Sequence, residues 1–274
     1  MDLHVIGTDS DRGVFDVLAD INHSQSLGLS LSWQAVTKTS DKTCIHQATT
    51  YPLVLAIIKG VPTLLHYQTH VQADKVSLAK ITPSWQALTR RIVSAGRKSE
   101  LILQACKLSA GDRAIDATAG FGHDGLILAS TGASVTLIEQ NPVMALLLWF
   151  EKEIMNQNKN WQKLLSRITI CFGNSTDVLP NLEKADLIYL DPMFPTGSYQ
   201  AQVGKHMQLL HVLADAPTPH QERELMNCAK DSLTNTGKII VKRPNAPTNP
   251  APYFAGLAPS HSVANEAIRF DVYL

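Results

Sequence analysis

The chain has 274 residues, 45% of them hydrophobic and 18% charged, the make-up of a globular protein with room for a large domain and a smaller one. Its 24 Lys and Arg balance 24 Asp and Glu, for a formal net charge of zero, which excludes a uniformly basic nucleic-acid-binding surface; any contact with phosphates has to be local. No apolar run has the length a bilayer span needs, and the opening MDLHVIGTDSDR has neither a basic n-region nor a cleavage-like segment, so the expected compartment is the cytosol.

Residues 1–85 read as a small α+β unit. Leu3–Ile6, Leu27–Leu31 and Thr63–Tyr67 have strand character, and Val14–Leu18 suggests a short helix. Ile81-Thr82-Pro83-Ser84 is the expected junction, with Ser84 capping a helix through Trp85 and Leu88. A further helix is expected over Glu100–Lys107.

From about residue 110 strand and helix alternate. Strands are predicted near 113–117, 134–139, 167–171, 185–190 and 237–242, and helices near 122–131, 142–156 and 219–233. Asn141-Pro142 reads as an N-cap followed by proline at the first helical position. Such alternation implies a doubly wound, mostly parallel sheet covered on both faces, here over residues 86–274. Pro244–Pro252 reads as a rigid proline-rich loop, and Ile268–Tyr273 as a terminal strand, antiparallel to the rest.

Cys44, Cys106, Cys171 and Cys228 form no C-x-x-C pair and read as reduced thiols, three of them core fillers. His66 and His70 have i, i+4 spacing, but their neighbours suggest a strand. No metal site is expected.

In an open parallel sheet, ligands gather outside the carboxyl ends of the strands. Asp116, Glu139, Gly173-Asn174-Ser175 and Asp191 all fall at such ends. Ala114-Ile115 leads into Asp116-Ala117-Thr118-Ala119-Gly120-Phe121-Gly122-His123-Asp124-Gly125, the strand, glycine-rich turn and helix that open a nucleotide-binding sheet. Glu139, nineteen residues past Gly120, is where a carboxylate takes both hydroxyls of a ribose. The glycines formally fit G-x-G-x-x-G, so a nicotinamide oxidoreductase has to be weighed. Asp124, however, stands where a pyrophosphate would sit. S-adenosylmethionine carries a sulfonium and an ammonium instead, and Asp116 and Asp124 suit it.

The second motif is Asp191-Pro192-Met193-Phe194, straight after Leu187-Ile188-Tyr189-Leu190. The Asp191 carboxylate and a backbone carbonyl at or before Pro192 can accept hydrogen bonds from an exocyclic amine, proline adds no competing N–H, and Phe194 offers a ring for stacking. The plain alternative is a polar turn, since Asp-Pro often starts one. Local positive charge for RNA comes from Arg90-Arg91, Arg97-Lys98, Lys205-His206 and Lys242-Arg243, each pair also readable as solvated surface.

The segments DATAGFGHDG, IEQNP and YLDPMFP, then Ile240-Val241-Lys242-Arg243-Pro244 and Arg269-Phe270-Asp271, resemble in register the RsmJ family of S-adenosylmethionine-dependent 16S ribosomal RNA guanine-N2 methyltransferases. The resemblance spans about residue 90 to the C-terminus and is faint before that. It implies a class I methyltransferase fold, Rossmann-like, with a small N-terminal domain. It also implies S-adenosylmethionine as cofactor, with no metal, and a guanosine near the 3′ end of 16S rRNA, naked or in the small ribosomal subunit, as substrate. No obligate protein partner is evident.

Carried over by position, cofactor contacts fall on His123-Asp124, Glu139-Gln140, Asn174-Ser175 and Asp191, beside Asp116, Gly120 and Gly122 of the turn. Asp191, Pro192 and Phe194 become the catalytic group, and Arg97, Lys98, Lys205, Lys242 and Arg243 the RNA contacts. Departures from the family pattern are His123 and Gln140, where arginine is usual, and Asn174, where serine is; they bear on cofactor affinity and local charge. The residues alone leave open a methyltransferase acting on adenine-N6, glutamine or DNA, and a non-catalytic ribosome-assembly factor with a relic pocket.

Overall fold

A computed structural model describes residues 1–70, 75–94, 100–194, 210–245 and 252–274. The chain divides into two compact units, one of Met1–Ser84, Pro142–Glu151 and Val203–Ala214, the other of Trp85–Asn141, Lys152–Gln202 and Asp215–Leu274.

In the first unit five strands, β1 (Asp2–Gly7), β2 (Ser30–Ala35), β3 (Val54–Ile58), β4 (Val61–His70) and β5 (Lys75–Ile81), form a sheet in the order β2-β1-β3-β4-β5. β1 runs parallel to β2 and β3, while β3, β4 and β5 are antiparallel. Lys59-Gly60 joins β3 to β4 with φ of 54° and 77°, the positive angles that a two-residue hairpin turn demands. Helix α1 (Arg12–Ser24) follows β1, and α2 (Asp41–Thr50) precedes β3. Ile6, Cys44, Val54, Ala56 and Leu65 pack into one core cluster.

The expected strand at 27–31 begins three residues later, at Ser30. Neither α2 nor β3 is predicted. The α2 sequence DKTCIHQATT carries too few apolar residues to show a helical stripe; only Cys44 and Gln47 are buried along it, and Ser40 caps it through the Thr43 N–H.

The second unit opens with a 3-10 turn at Gln86–Leu88 and α3 (Thr89–Val93), followed by α4 (Leu101–Cys106). The residue before the turn is Trp85, which makes no side-chain cap, so the expected Ser84 cap is one residue early. Seven strands follow: β6 (Arg113–Asp116), β7 (Ser134–Glu139), β8 (Ile168–Phe172), β9 (Ala185–Leu190), β10 (Leu233–Pro244), β11 (His261–Ala264) and β12 (Ile268–Tyr273). Between them in sequence lie α5 (His123–Ala129), α6 (Pro142–Asn156, of which Pro142–Glu151 belong to the first unit), α7 (Lys159–Leu165), α8 (Ser175–Val178) and α9 (Pro219–Asp231).

The sheet order is β11-β12-β10-β9-β6-β7-β8. β10, β9, β6, β7 and β8 are parallel, and β12 runs antiparallel between β10 and β11. This is the Rossmann-like class I arrangement. Helix α9 starts with a capping box, Thr218 with Gln221, and Pro219 at its first position, and buries Met226 and Ala229 against Ile188, Leu190, Ile239 and Val241. β10 begins earlier than expected because its pairing with β9 shifts register between Leu233 and Lys238. Gly237 lies in that shift, with the Ala185 carbonyl 2.9 Å from where a Cβ would stand. The Pro244–Pro252 loop lies largely outside the described residues, at 246–251.

The chain leaves β6 toward β7 and β8 on one side and returns to β9 and β10 on the other. The order therefore reverses between β6 and β9, where open α/β sheets form their ligand crevice. Asp116 ends β6, and Asp191 is the first residue after β9.

Candidate active site

The turn between β6 and α5 is held from both sides. Ala117 N–H donates to the Tyr189 carbonyl on β9 and Ala119 N–H to the Ile138 carbonyl on β7, each at 3.0 Å. Gly120 and Gly122 have φ of 55° and 76°, the left-handed region that glycine enters without strain. A Cβ on Gly120 would meet nothing within 4 Å, so the backbone there faces open space. Gly125 is needed for the opposite reason: its Cβ would lie 2.2 Å from Leu137 Cδ2 and 3.4 Å from Asp116 Oδ2.

Glu139, buried at the end of β7, accepts the Gly120 N–H at 2.7 Å and the Asn141 N–H at 2.6 Å, one on each oxygen. Burial pushes its pKa up to about 7, against the pull of the Asn141, Gly120 and Gln140 backbone donors. These donors leave part of the carboxylate's capacity of about four acceptor sites open, so it can still accept from a ribose hydroxyl. Gln140 is exposed. After β8, exposed Asn174 caps α8 through the Thr176 N–H at 3.0 Å. Ser175 is buried and donates to the Ala117 carbonyl, so its hydroxyl braces the glycine turn.

Asp191 sits in an ionic network. Lys242 Nζ lies 2.7 Å from Asp191 Oδ2 and 2.9 Å from Asp124 Oδ2, and Tyr189 Oη donates to Asp124 Oδ2 at 2.7 Å. Thr118 Oγ1 accepts the Asp191 N–H at 2.5 Å. Burial, then the charge of Asp124, raises the pKa of Asp116. Burial also works against the charge of Asp124, but Lys242 and the hydroxyl of Tyr189 outweigh it and hold that carboxyl below its ordinary range. Burial lowers the pKa of His123, which favours a neutral imidazole, and its buried Nε2 has no hydrogen-bond partner among the described residues.

The network corrects several expectations. Asp124 is not a free anion, since Lys242 and Tyr189 already compensate it. Lys242 is turned into the site rather than toward RNA. Arg243 is only 3% exposed; it donates to the Pro252 carbonyl at 2.9 Å, pairs with Glu222 and lies over the rings of Phe194 and Phe254 at 5.3 and 5.7 Å. Phe194, 6% exposed, gives its ring to that guanidinium, so it does not lie open for a base as expected. Pro192 is buried. Arg97, Lys98 and Lys205 lie outside the described residues. Of the thiols, Cys44 and Cys106 are buried, while Cys171 and Cys228 are half-buried, two full core positions rather than three.

Thr118 and Tyr189 are participants that motif reading passed over. Tyr189 had a usable signal: a hydroxyl inside an otherwise aliphatic buried strand needs a partner. Among the described residues no group of three His, Cys, Asp or Glu is placed to hold a metal ion, and no helix is long and apolar enough to cross a membrane.

Comparison with known proteins agrees with this geometry. A family model described as "Putative SAM-dependent methyltransferase" matches residues 52–274. The chain is 50% identical over 216 residues to the ribosomal RNA small subunit methyltransferase J of Psychrobacter arcticus, covering 70% of this chain and 71% of that one. It is 35% identical over 206 residues to the protein of the same name from Acinetobacter baumannii, covering 71% of each. A solved SAM-dependent methyltransferase from Neisseria gonorrhoeae superposes with a TM-score of 0.65 at 23% identity, over 100% of this chain and 96% of that one, and speaks to the fold. By these matches the chain belongs to the ribosomal RNA small subunit methyltransferase J family of S-adenosylmethionine-dependent methyltransferases.

Proposed function

We propose that this protein methylates the exocyclic N2 of a guanosine near the 3′ end of 16S ribosomal RNA, in the cytoplasm. The observation that carries the reading is the placement of Asp191 at the switch point of the sheet, with its N–H bonded to Thr118 of the glycine turn. The names of the relatives support ribosomal RNA as the substrate class.

In this reading Glu139 takes the ribose hydroxyls of the cofactor and the open backbone at Gly120 admits it. Asp116, Gly122, His123, Asp124, Gln140, Asn174 and Ser175 shape the rest of that pocket. His123 Nε2 brings a buried nitrogen in need of a partner. When bound, S-adenosylmethionine supplies a methyl group on a positively charged sulfur.

The lone pair of a guanine N2 is delocalised into the ring, which makes it a weak nucleophile. Asp191 and a carbonyl at or before Pro192 would accept its two hydrogens and draw the nitrogen toward tetrahedral geometry. The freed lone pair would accept the methyl group that the cofactor supplies, leaving the cofactor's sulfur neutral, and the amine proton given up would pass to Asp191 or to solvent. Phosphate contacts are assigned to Arg97, Lys98 and Lys205 from sequence position alone. A base in folded RNA has to be splayed out first, and unpaired nucleotides cost least.

The test is to incubate purified protein and labelled S-adenosylmethionine with small-subunit RNA and with assembled subunits, and to map the labelled base. A single N2-methylguanosine near the 3′ end is expected. Label on adenine N6 or on protein glutamine would replace the substrate while keeping the amine chemistry. Cofactor binding with no transfer to any acceptor would sink the enzymatic reading.

A further inference from the structure

We propose that Lys242 is a positioning residue for Asp191: it occupies Oδ2 of that carboxylate and leaves Oδ1 to the amine of the base, so it acts in the chemical step rather than in holding RNA. The inference rests on the reading of Asp191 as the amine's acceptor.

Its basis is register. Leu190 pairs with Val241 across β9 and β10, so the next residues along, Asp191 and Lys242, emerge side by side, 51 positions apart in sequence. Among the described residues, no donor reaches Asp191 Oδ1. The Lys242 side chain is 24% exposed, and its ammonium is shared between two carboxylates. Two of its three N–H donors are thereby committed, so a phosphate would have to compete with two carboxylates already in contact.

The surrounding charge explains why a cation is needed there. Asp191 shares its corner with Asp124 from α5 and Asp116 from β6, with Glu139 on β7 and the Tyr189 hydroxyl on β9 beyond them. Among the described residues, the other cation that acts on Asp124 is Arg91 of α3, and its guanidinium is forked onto Glu100 at 2.8 Å for each bond. Burial, followed by the repulsion of Asp124, favours protonation of Asp191, and Lys242 opposes both. A protonated Asp191 would present an O–H donor where the amine needs an acceptor.

The experiment is the pH dependence of single-turnover methyl transfer to small-subunit RNA by the wild type, Lys242→Met, Lys242→Arg and Asp124→Asn. A neighbouring opposite charge holds an acid down by about one to three pH units. The acid limb should therefore move up by at least about one pH unit in Lys242→Met and stay near the wild-type position in Lys242→Arg. It should move down in Asp124→Asn, where a like charge is removed. An unmoved limb in Lys242→Met, or a raised KM for RNA with an unchanged rate constant, would overturn the proposal in favour of a phosphate contact. If Lys242→Met does not fold, Asp124→Asn decides alone: an unmoved limb there overturns it too. A wild type that methylates no RNA would refute the proposed function instead. Carbon-13 carboxyl titration of Asp191 in the folded protein, with and without the Lys242 charge, then still decides the role of Lys242, and an unshifted titration counts against it.

Discussion

Gly120 donates its backbone N–H to Glu139 Oε2 at 2.7 Å, so the carboxylate that would receive the ribose also sets the conformation of the glycine turn. Losing the acid should therefore loosen both halves of the cofactor pocket. Burial lifts the pKa of Glu139 to about 7, above the ~4.3 of an unfolded chain. Its contribution to folding is then fully present below ~4.3 and is lost as pH rises through about 7. Ribose hydroxyls favour the ionised form, so affinity should run the other way. Calorimetry with S-adenosylhomocysteine should show binding that tightens from pH 6 to 8 in the wild type, by up to about tenfold per pH unit below the pKa. Glu139→Gln should bind more weakly with a flat profile, and equal affinity in the two proteins would remove Glu139 from the site.

Asp191→Ala should lower the methyl-transfer rate constant by at least about tenfold. A hydrogen bond to a charged group is worth roughly 1.5–3 kcal/mol, which corresponds to about ten- to a hundredfold when it is made only in the transition state. Quench-flow at saturating cofactor and RNA separates this from a binding loss. A parental rate would mean that another group holds the amine.

Gly125→Ala tests the packing under the turn. The added methyl would stand 2.2 Å from Leu137 Cδ2, and Leu137 is fully buried, so it has little room to yield. Overpacking of this kind costs about 1–3 kcal/mol, read as a lower urea midpoint. The clash also predicts coupling: Gly125→Ala with Leu137→Ala should lose less than the sum of the two single changes. Strict additivity would show that the helix shifts instead.

Arg243→Met should destabilise the fold and leave RNA affinity where it was. The guanidinium lies over the rings of Phe194 and Phe254 and pairs with Glu222, a carboxylate that also accepts the Ala255 N–H at 2.9 Å. Removing one partner of a buried ion pair costs about 3–5 kcal/mol, because the other charge stays behind. Urea unfolding alongside RNA binding measured over a salt series checks both halves. Undiminished stability with weakened, less salt-dependent RNA binding would return Arg243 to the RNA surface.

Lys242 and Arg243 also show where reading the sequence stops. Asp116, Glu139 and Asp191 are legible because each closes an apolar run that becomes a parallel strand, and the ends of such strands share one edge of the sheet. Proline at the head of α6 and α9 likewise marks boundaries that the structure keeps. A Lys-Arg pair reads as one basic patch, yet neighbours on a strand point to opposite faces. Lys242 therefore goes to Asp191, and Arg243 to Phe194, Phe254 and Glu222. Their partners lie between 9 and 118 positions away, and only the order of the strands brings them together. Helix α2 stayed hidden because its sequence has almost no apolar stripe, and the role of Tyr189 because its hydroxyl signals the need for a partner without naming Asp124, 65 positions away.

Tyr189→Phe removes a single oxygen from this network and keeps the ring, so no cavity complicates the outcome. The lost group is the donor to Asp124 Oδ2, and Lys242 remains as that carboxylate's counter-ion. The folded pKa of Asp124 is held below its ordinary value. Its contribution to stability is thus present above the unfolded value of ~3.9 and fades as pH falls through the folded one. The variant should lose about 1.5–3 kcal/mol at pH 7, the worth of a hydrogen bond to a charged acceptor, and progressively less in acid. Urea unfolding at pH 7 and at progressively lower pH measures the difference. A deficit of the same size throughout would mean that the hydroxyl matters for packing alone and that Asp124 draws its ionisation from Lys242.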